Sequence, residues 1–202
     1  IAHAVEPVAV AGKIPALLGG DHSISVGAVQ AIKAVYPNLS VLYLDAHADF
    51  RDMYLGTRWG HASTARRISE LCPLTQVGTR SMSAEEADAV ASSGIRNFQY
   101  GARHTQELSN EVIDSMGQDV YVSVDLDVFD PSFMAAVGTP EPGGMKWVEV
   151  LGLIRTLAER RRIVGFDVVE LSPIVGPPAC SYIAAKLTYK LIAYSTMRGG
   201  HS

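Results

Sequence analysis

The sequence predicts an α/β protein: a three-layer α-β-α sandwich around a mostly parallel sheet. Three observations carry that prediction. Six short apolar runs rich in β-branched residues recur along the chain, apolar on both faces as strands buried in a parallel sheet are. Longer stretches of helical pattern separate them, and strand alternating with helix implies right-handed crossovers. Polar residues collect just after the strands, where ligands bind in open α/β sheets.

Taken in order, the strands are expected at residues 14–18, 41–44, 74–77, 95–98, 120–124 and 163–169. Helices are expected at 23–35, 63–71, 84–92, 107–116 and 146–159, with a closing helix at 182–195. Ser83 followed by Glu86 has the capping-box spacing of a helix start. The Gly- and Pro-rich stretch 138–144 (GTPEPGG) is the longest irregular insert, and long loops at strand ends often carry function. The run Arg160-Arg161-Arg162 falls at a helix end, where cations suit the helix dipole.

Composition bounds the function. The 202 residues fit one domain spanning 1–202, and 48% hydrophobic with 19% charged residues excludes a disordered chain. No apolar stretch approaches the roughly 18–20 residues of a membrane-crossing helix, and no segment resembles a signal peptide, the chain opening at Ile1. Two cysteines, Cys72 and Cys180, are too few for a disulfide framework and read as buried thiols of a reduced, cytoplasmic protein. A net charge of −4 argues against a general nucleic-acid binder.

The acids have addresses. After the first run comes Gly19-Gly20-Asp21-His22-Ser23, and after the second Asp45-Ala46-His47-Ala48-Asp49. The fifth is followed by Asp125-Leu126-Asp127 and then Asp130-Pro131, and the last by Glu170, Ser172 and Pro173. Asp45, His47 and Asp49 are spaced i, i+2, i+4, so an extended chain points them to one side, and Asp125 and Asp127 repeat the spacing. Four carboxylates converging there need cations, and carboxylate plus imidazole without thiolate favours Mn²⁺, with Zn²⁺, Ni²⁺ and Fe²⁺ as alternatives. Asp21 and Asp130 read as turn residues, and His3, His104 and His201 as surface residues.

With these residues in place the sequence resembles the ureohydrolase family of arginase and agmatinase. The signatures are GGDHS (19–23), DAHAD (45–49), SVDLDVFDP (123–131) and DVVELSP (167–173), in the family's order. The stretch 49–67 (DFRDMYLGTRWGHASTARR) looks like agmatinases, and the Asn-Thr segment and Ser-rich turn of arginases are missing. The resemblance implies an arginase-like fold and two Mn²⁺ ions, one on His22, Asp45, Asp49 and Asp125. The other would sit on Asp45, His47, Asp125 and Asp127, with Asp45 and Asp125 bridging. It further implies that water activated between the metals attacks a guanidino compound, agmatine above all, giving urea and putrescine. Glu170 would orient the guanidinium, Asp49 would accept a hydrogen bond from that water, His61 would protonate the leaving amine, and Thr139 would lend a hydroxyl to the substrate. Arg51 and Arg58 flank the site either as salt-bridge formers or as partners for a substrate carboxylate. Guanidinobutyrase, arginase and formimidoylglutamase activities, or a non-catalytic partner role, are the alternatives. The family's N-terminal part of the sheet has no counterpart here, so the chain reads as a truncated or unusually short member with an exposed sheet edge. The resemblance implies a trimer or hexamer. Setting aside Asp45, Asp49, Asp125 and Asp127 leaves 17 acids against 17 bases, so the whole net charge of −4 is assigned to one pocket.

Overall fold

The structure, a computed structural model, describes residues 1–101 and 105–197; His104 and His201 lie outside the described residues. Along the chain run α1 (Ala2–Val10), β1 (Ala16–Leu18), α2 (Ile24–Val35), β2 (Ser40–Leu44), α3 (Thr64–Ser69), β3 (Leu74–Val77), α4 (Ala84–Ser93) and β4 (Arg96–Phe98). Then follow α5 (Thr105–Asp114), β5 (Asp119–Asp125), α6 (Trp147–Arg160), β6 (Arg162–Val169) and α7 (Pro178–Ser195). The strands form one parallel sheet in the order β1-β6-β5-β2-β3-β4. This is the expected three-layer α/β fold, with each strand boundary within two residues of its expected place.

Alternation along the central strands feeds two separate cores. Val41 and Tyr43 of β2 and Tyr121 of β5 pack with Val29 of α2 and Ile68 of α3 on one face. Leu42, Leu44 and Val122 pack with Val112 of α5, Ile154 of α6 and Leu187 of α7 on the other. All five residues of β2 are buried, which only a strand covered on both faces allows.

The strand order has a functional consequence. From β2 the chain moves outward through β3 and β4, then returns to fill the gap between β2 and β1 with β5 and β6. The direction of winding therefore reverses between β2 and β5, which pair from Ser40↔Val120 to Leu44↔Val124. At such a switch point the flanking loops diverge and leave a crevice beyond the carboxyl ends of the strands. Asp45 and Asp125 sit at those two ends.

Several local features depart from expectation. Residues 2–10 form α1 despite Pro7 inside it, because Val5 and Ala9 are buried and the chain start lies against α2. At Gly27 a side chain would come within 2.9 Å of Ile1 Cβ, so glycine permits the contact. Helix α7 begins at Pro178 rather than 182, with Pro at its first turn where no N–H is needed. The arginine run joins elements rather than only facing a dipole: Arg160 pairs with Asp114, Arg161 donates to the carbonyls of Ile113 and Met116, and Arg162 reaches Asp119 at 2.6 Å. The Ser83–Glu86 capping box forms as expected, His3 is exposed, and both cysteines are buried and free. The edge strand β1 leaves Leu18 71% exposed, so the sheet edge there is uncovered among the described residues. None of the described helices is long and apolar enough to cross a membrane.

The 138–144 insert closes on Gly144, whose φ is +127° and whose missing Cβ would lie 2.7 Å from the backbone of Phe129 and Asp130. Gly144→Ala is expected to destabilise the fold by at least about 2 kcal/mol in urea titration, since both conformation and space forbid a side chain. Gly152→Ala, in the exposed interior of α6 with nothing within 4 Å, should instead stabilise by roughly 0.5–1 kcal/mol.

Candidate metal centre

The centre begins where β2 stops. Asp45 follows Leu44 directly, is fully buried, and leaves Oδ2 without a hydrogen-bond partner. Its other oxygen accepts the His47 N–H at 2.6 Å. The spacing argument for 45–49 gives the right convergence by the wrong route, because the segment is not extended strand. His47 forms an isolated bridge with Ser81, and Asp49 turns back in a left-handed conformation with φ +50°. Similarly, Asp125 ends β5, while Asp127 lies in the 3-10 turn Leu126–Val128 with its N–H on Asp125 Oδ1 at 2.8 Å. Turns, not strand alternation, aim these acids.

Two triads of donor groups result, His22–Asp45–Asp125 and Asp45–His47–Asp127, and Asp45 belongs to both. His22 Nδ1 lies 3.2 Å from Asp45 Oδ2 and 3.1 Å from Asp125 Oδ2. His47 Nδ1 lies 2.8 Å from Asp127 Oδ2. Asp49 approaches His22 Nδ1 at 3.6 Å while accepting the Tyr43 hydroxyl at 2.8 Å. These contacts place Asp49 beside the first triad and Asp125 nearest to His22.

Each imidazole is oriented from behind. The buried Asp167 accepts the hydroxyls of Ser25 (2.6 Å), Tyr121 (2.7 Å) and Ser123 (2.8 Å). With its proton committed to Asp167, Ser123 Oγ accepts from His22 Nε2 at 2.8 Å, which turns Nδ1 toward the acids. The Tyr43 ring stacks on His22 at 4.5 Å, 3° from parallel. Behind His47, Glu141 Oε1 lies 3.6 Å from Nε2 and accepts the Ser81 hydroxyl at 2.8 Å. Tyr43, Arg80, Ser81, Ser123, Glu141 and the buried Asp167 carboxylate escaped the sequence reading. Only Ser123 and Asp167, inside quoted signatures, had a signal that could have found them.

Electrostatics explain the need for cations. Burial pushes the carboxyl groups of Asp49, Asp125 and Asp127 up, and neighbouring carboxylates, Asp45 foremost at Asp49, add to it. Burial opposes ionisation of Asp45 too, but its contacts with the His22 and His47 imidazoles hold it at about 2. Burial likewise disfavours the charged imidazoles, yet bonds to Asp125 and Asp45 raise His22, and bonds to Asp127 and Asp45 raise His47 to about 11. Protonated imidazoles thus supply the positive charge in the metal-free protein. A buried carboxylate shared by two His–Asp sets, one oxygen toward each histidine and Oδ2 without a hydrogen bond, fits two hard or borderline divalent cations in the absence of thiolate.

A cavity of about 430 Å³ opens over both triads, lined also by Asp21, Arg51, Tyr54, His61, Thr139 and Glu170. Glu170 has φ +64°, and its Oε1 accepts the His22 N–H at 2.6 Å. Burial raises its carboxyl, against that hydrogen bond. His61 opens a 3-10 turn at the mouth, half-exposed, 3.3 Å from Asp21 Oδ2 and edge-on to Tyr54 at 5.7 Å. Asp21 is the turn residue expected, taking the Ser23 N–H at 2.9 Å, and additionally faces His61. Asp130 likewise takes the Ser132 N–H at 2.8 Å, as a turn residue does. Thr139 is exposed on the rim. Arg58 pairs outward with Asp52 and Glu70, whereas Arg51 lines the cavity, 3.7 Å from Glu86 and over the Tyr54 ring. A second hollow of about 340 Å³, between α5 and α6, gathers no comparable cluster of acids.

Since His22 and His47 hold protons near neutral pH and a ligand imidazole must give one up, cation uptake should release acid. Titrating metal-free protein with Mn²⁺ at pH 7.5 in weak buffer is expected to release at least about one proton per cation, with affinity falling as pH is lowered.

Comparison with known proteins points to one family. The profile of the arginase family matches residues 1–193. The N(1)-aminopropylagmatine ureohydrolase of Synechocystis is 36% identical over 196 residues, covering 94% of this chain and 63% of that protein. The agmatinase of Pyrococcus horikoshii is 36% identical over 183 residues, covering 90% and 63% respectively. The crystal structure of the agmatine ureohydrolase of Thermoplasma volcanium superposes with a TM-score of 0.87 at 38% identity, over 96% of this chain and 66% of that one. The chain therefore spans about 63% of the length of these two curated relatives.

Proposed function

The chain belongs to the arginase family, and from that premise we propose that it hydrolyses a guanidino compound, agmatine to putrescine and urea, with two Mn²⁺ ions. The observation that carries the reading is Asp45, buried, orphaned at Oδ2 and shared by two His–Asp triads at the switch point of the sheet. His22, Asp45, Asp49 and Asp125 would hold one cation, and Asp45, His47, Asp125 and Asp127 the other. Bound there, the pair supplies a water of lowered pKa and a fixed positive field.

The remaining roles fall to the protein's own groups. Glu170, with one oxygen on the His22 N–H, keeps the other for the substrate guanidinium. A cation there relieves the burial that raises its carboxyl, so binding is charge-assisted and orients the guanidinium carbon over the centre. Asp49, fixed by the Tyr43 hydroxyl, accepts a hydrogen bond from the attacking water. As the carbon–nitrogen bond breaks, the departing amine takes a proton from His61, which Asp21 holds at the mouth through Nδ1. Thr139 offers an exposed hydroxyl in the cavity lining.

Tail chemistry favours a cationic substrate. The cavity's one arginine, Arg51, has Nε 3.7 Å from Glu86 and is outnumbered by the lining acids Asp21, Glu86 and Glu170, which disfavours a substrate carboxylate. Relatives named for N(1)-aminopropylagmatine support a second reading in which the amine end carries an aminopropyl extension. The same reading makes residues 1–202 one cytoplasmic ureohydrolase domain that assembles as a homo-oligomer.

With Mn²⁺, urea is expected from agmatine or its aminopropyl derivative, and not from arginine or 4-guanidinobutyrate; formiminoglutamate should be inert. Colorimetric urea detection and amine chromatography read the outcome. No product from any guanidine, with two cations bound, overturns the assignment.

The two non-ligand roles separate kinetically. His61→Ala should lower kcat by about 10²–10⁴-fold at unchanged metal content, the range for a lost general acid. Glu170→Gln should lower kcat/KM by roughly 10–100-fold, the loss of one charged hydrogen bond. An unchanged rate in either variant removes that residue from the mechanism.

A further inference from the structure

We infer that Arg80 positions the His47–Asp127 half of the centre, tying together the three segments that build it. The inference rests on the two-cation reading above. Arg80 follows β3 and belongs to none of the signature stretches. Its guanidinium donates to six main-chain carbonyls: Pro142 from Nε at 3.1 Å, Gly78 and Val128 from Nη1 at 3.3 Å each, and Asp127, Glu141 and Phe129 from Nη2 at 2.8, 3.0 and 3.3 Å. All its donors are therefore spent on backbone, none on a carboxylate. The main chain at the same place holds a third segment: Arg80 and Ser81 N–H both donate to Ala46 O, and Ala48 N–H donates to Ser81 O.

Each segment so gripped delivers one group to the same imidazole. Residues 45–49 carry His47 itself. The 126–129 turn carries Asp127, 2.8 Å from Nδ1, and the 138–144 insert carries Glu141, 3.6 Å from Nε2. No carbonyl held by the Arg80 guanidinium belongs to a segment bearing His22, Asp49 or Glu170. The His22 half has a separate support in Ser123 and Asp167.

Chemistry explains why the residue is arginine. Six carbonyls aimed at one point repel each other, and without the guanidinium those other than Val128 O, which also accepts the Met145 N–H, forfeit the hydrogen bond described here. Only a planar fork with five N–H groups can serve them together, and the compact ammonium of lysine, with three donors, cannot. Removal of the fork should let the Asp127 and Glu141 loops drift from His47 and leave the His22 triad in place.

The test compares Arg80→Met and Arg80→Lys with the parent and with Arg161→Met. Arg161 also staples carbonyls, those of Ile113 and Met116, but at the far end of the sheet. Mn²⁺ titration followed by electron paramagnetic resonance counts the two binding events. In Arg80→Met the first cation should bind within about threefold of the parent and the second about 10–100-fold more weakly, as when a support behind a ligand is lost. Arg80→Lys should recover only a minor part of that loss, and Arg161→Met should leave both events unchanged. Amide exchange in metal-free protein is the second readout. Protection at Ala46, whose N–H is held by Asp127 Oδ1 at 3.0 Å, should fall at least about tenfold, while His22, held by Glu170, keeps its own. Equal weakening of both cations, or an unaltered second cation with Ala46 still protected, overturns the inference. Should Arg80→Met not fold, Arg80→Lys is judged by the same two measurements. A parent that binds no second cation refutes the two-cation reading instead, and Ala46 exchange still decides the role of Arg80.

Discussion

Burying several carboxylates within a few ångströms of one another is the constraint on which the rest of this structure depends. Two unit charges 4 Å apart interact by about 4 kcal/mol at the effective dielectric of a protein, and more where water is excluded. At the carboxyl ends of β2 and β5 the fold places Asp45, Asp49, Asp125 and Asp127, all 7% exposed or less. The cluster persists only with positive charge inside it. Without metal, His22 and His47 provide it as imidazolium groups, which is why both hold their protons far more tightly than a free histidine. Divalent cations at the same position would replace two protons and satisfy Asp45 Oδ2, which makes no hydrogen bond although His22 Nδ1 lies 3.2 Å away.

The surroundings follow from that demand for fixed geometry. An acid cluster free to relax would spread apart, so each member is tied to backbone or to a neighbour: Asp45 to the His47 amide, Asp127 to Ala46, Asp49 to Tyr43. Asp49 and Glu170 adopt left-handed backbone, a conformation that costs non-glycine residues of order 1–3 kcal/mol. Local strain of this size is tolerable because the flanking strands are deeply buried and paired on both sides. Rigidity at the sheet thus sustains conformations at its rim that no isolated loop would hold.

What the sequence disclosed follows the range of the forces involved. Strand runs and acid clusters are local patterns, and so the parallel sheet, its helices and every acid of the centre were legible. Direction was not: i, i+2 spacing implied an extended chain, whereas the real convergence comes from a bridge at His47, a left-handed turn at Asp49 and a 3-10 turn at Asp127. Helix α1 was hidden because Pro7 argues against a helix that packing on α2 sustains. The supports behind the imidazoles were hidden for a further reason. Asp167 and Ser123 are 44 residues apart, and Arg80 and Glu141 are 61 apart, so only the topology makes them neighbours.

The charge balance narrows the substrate. On the proposed reading, two divalent cations cancel the four aspartates of the centre, and Arg51 is matched by Glu86. Of the acids lining the cavity, that leaves Glu170 at the inner side and Asp21 at the mouth beside His61. A substrate with one cationic end meets one of these acids and leaves the other facing only histidine and water. A molecule with a guanidinium at one end and an ammonium at the other complements both. Arginine adds a carboxylate near the amine, and that carboxylate would face Asp21, with Glu86 competing for Arg51. On that reading discrimination among guanidines would fall to the charge of the tail, and the arrangement of acids along the cavity would favour a dication.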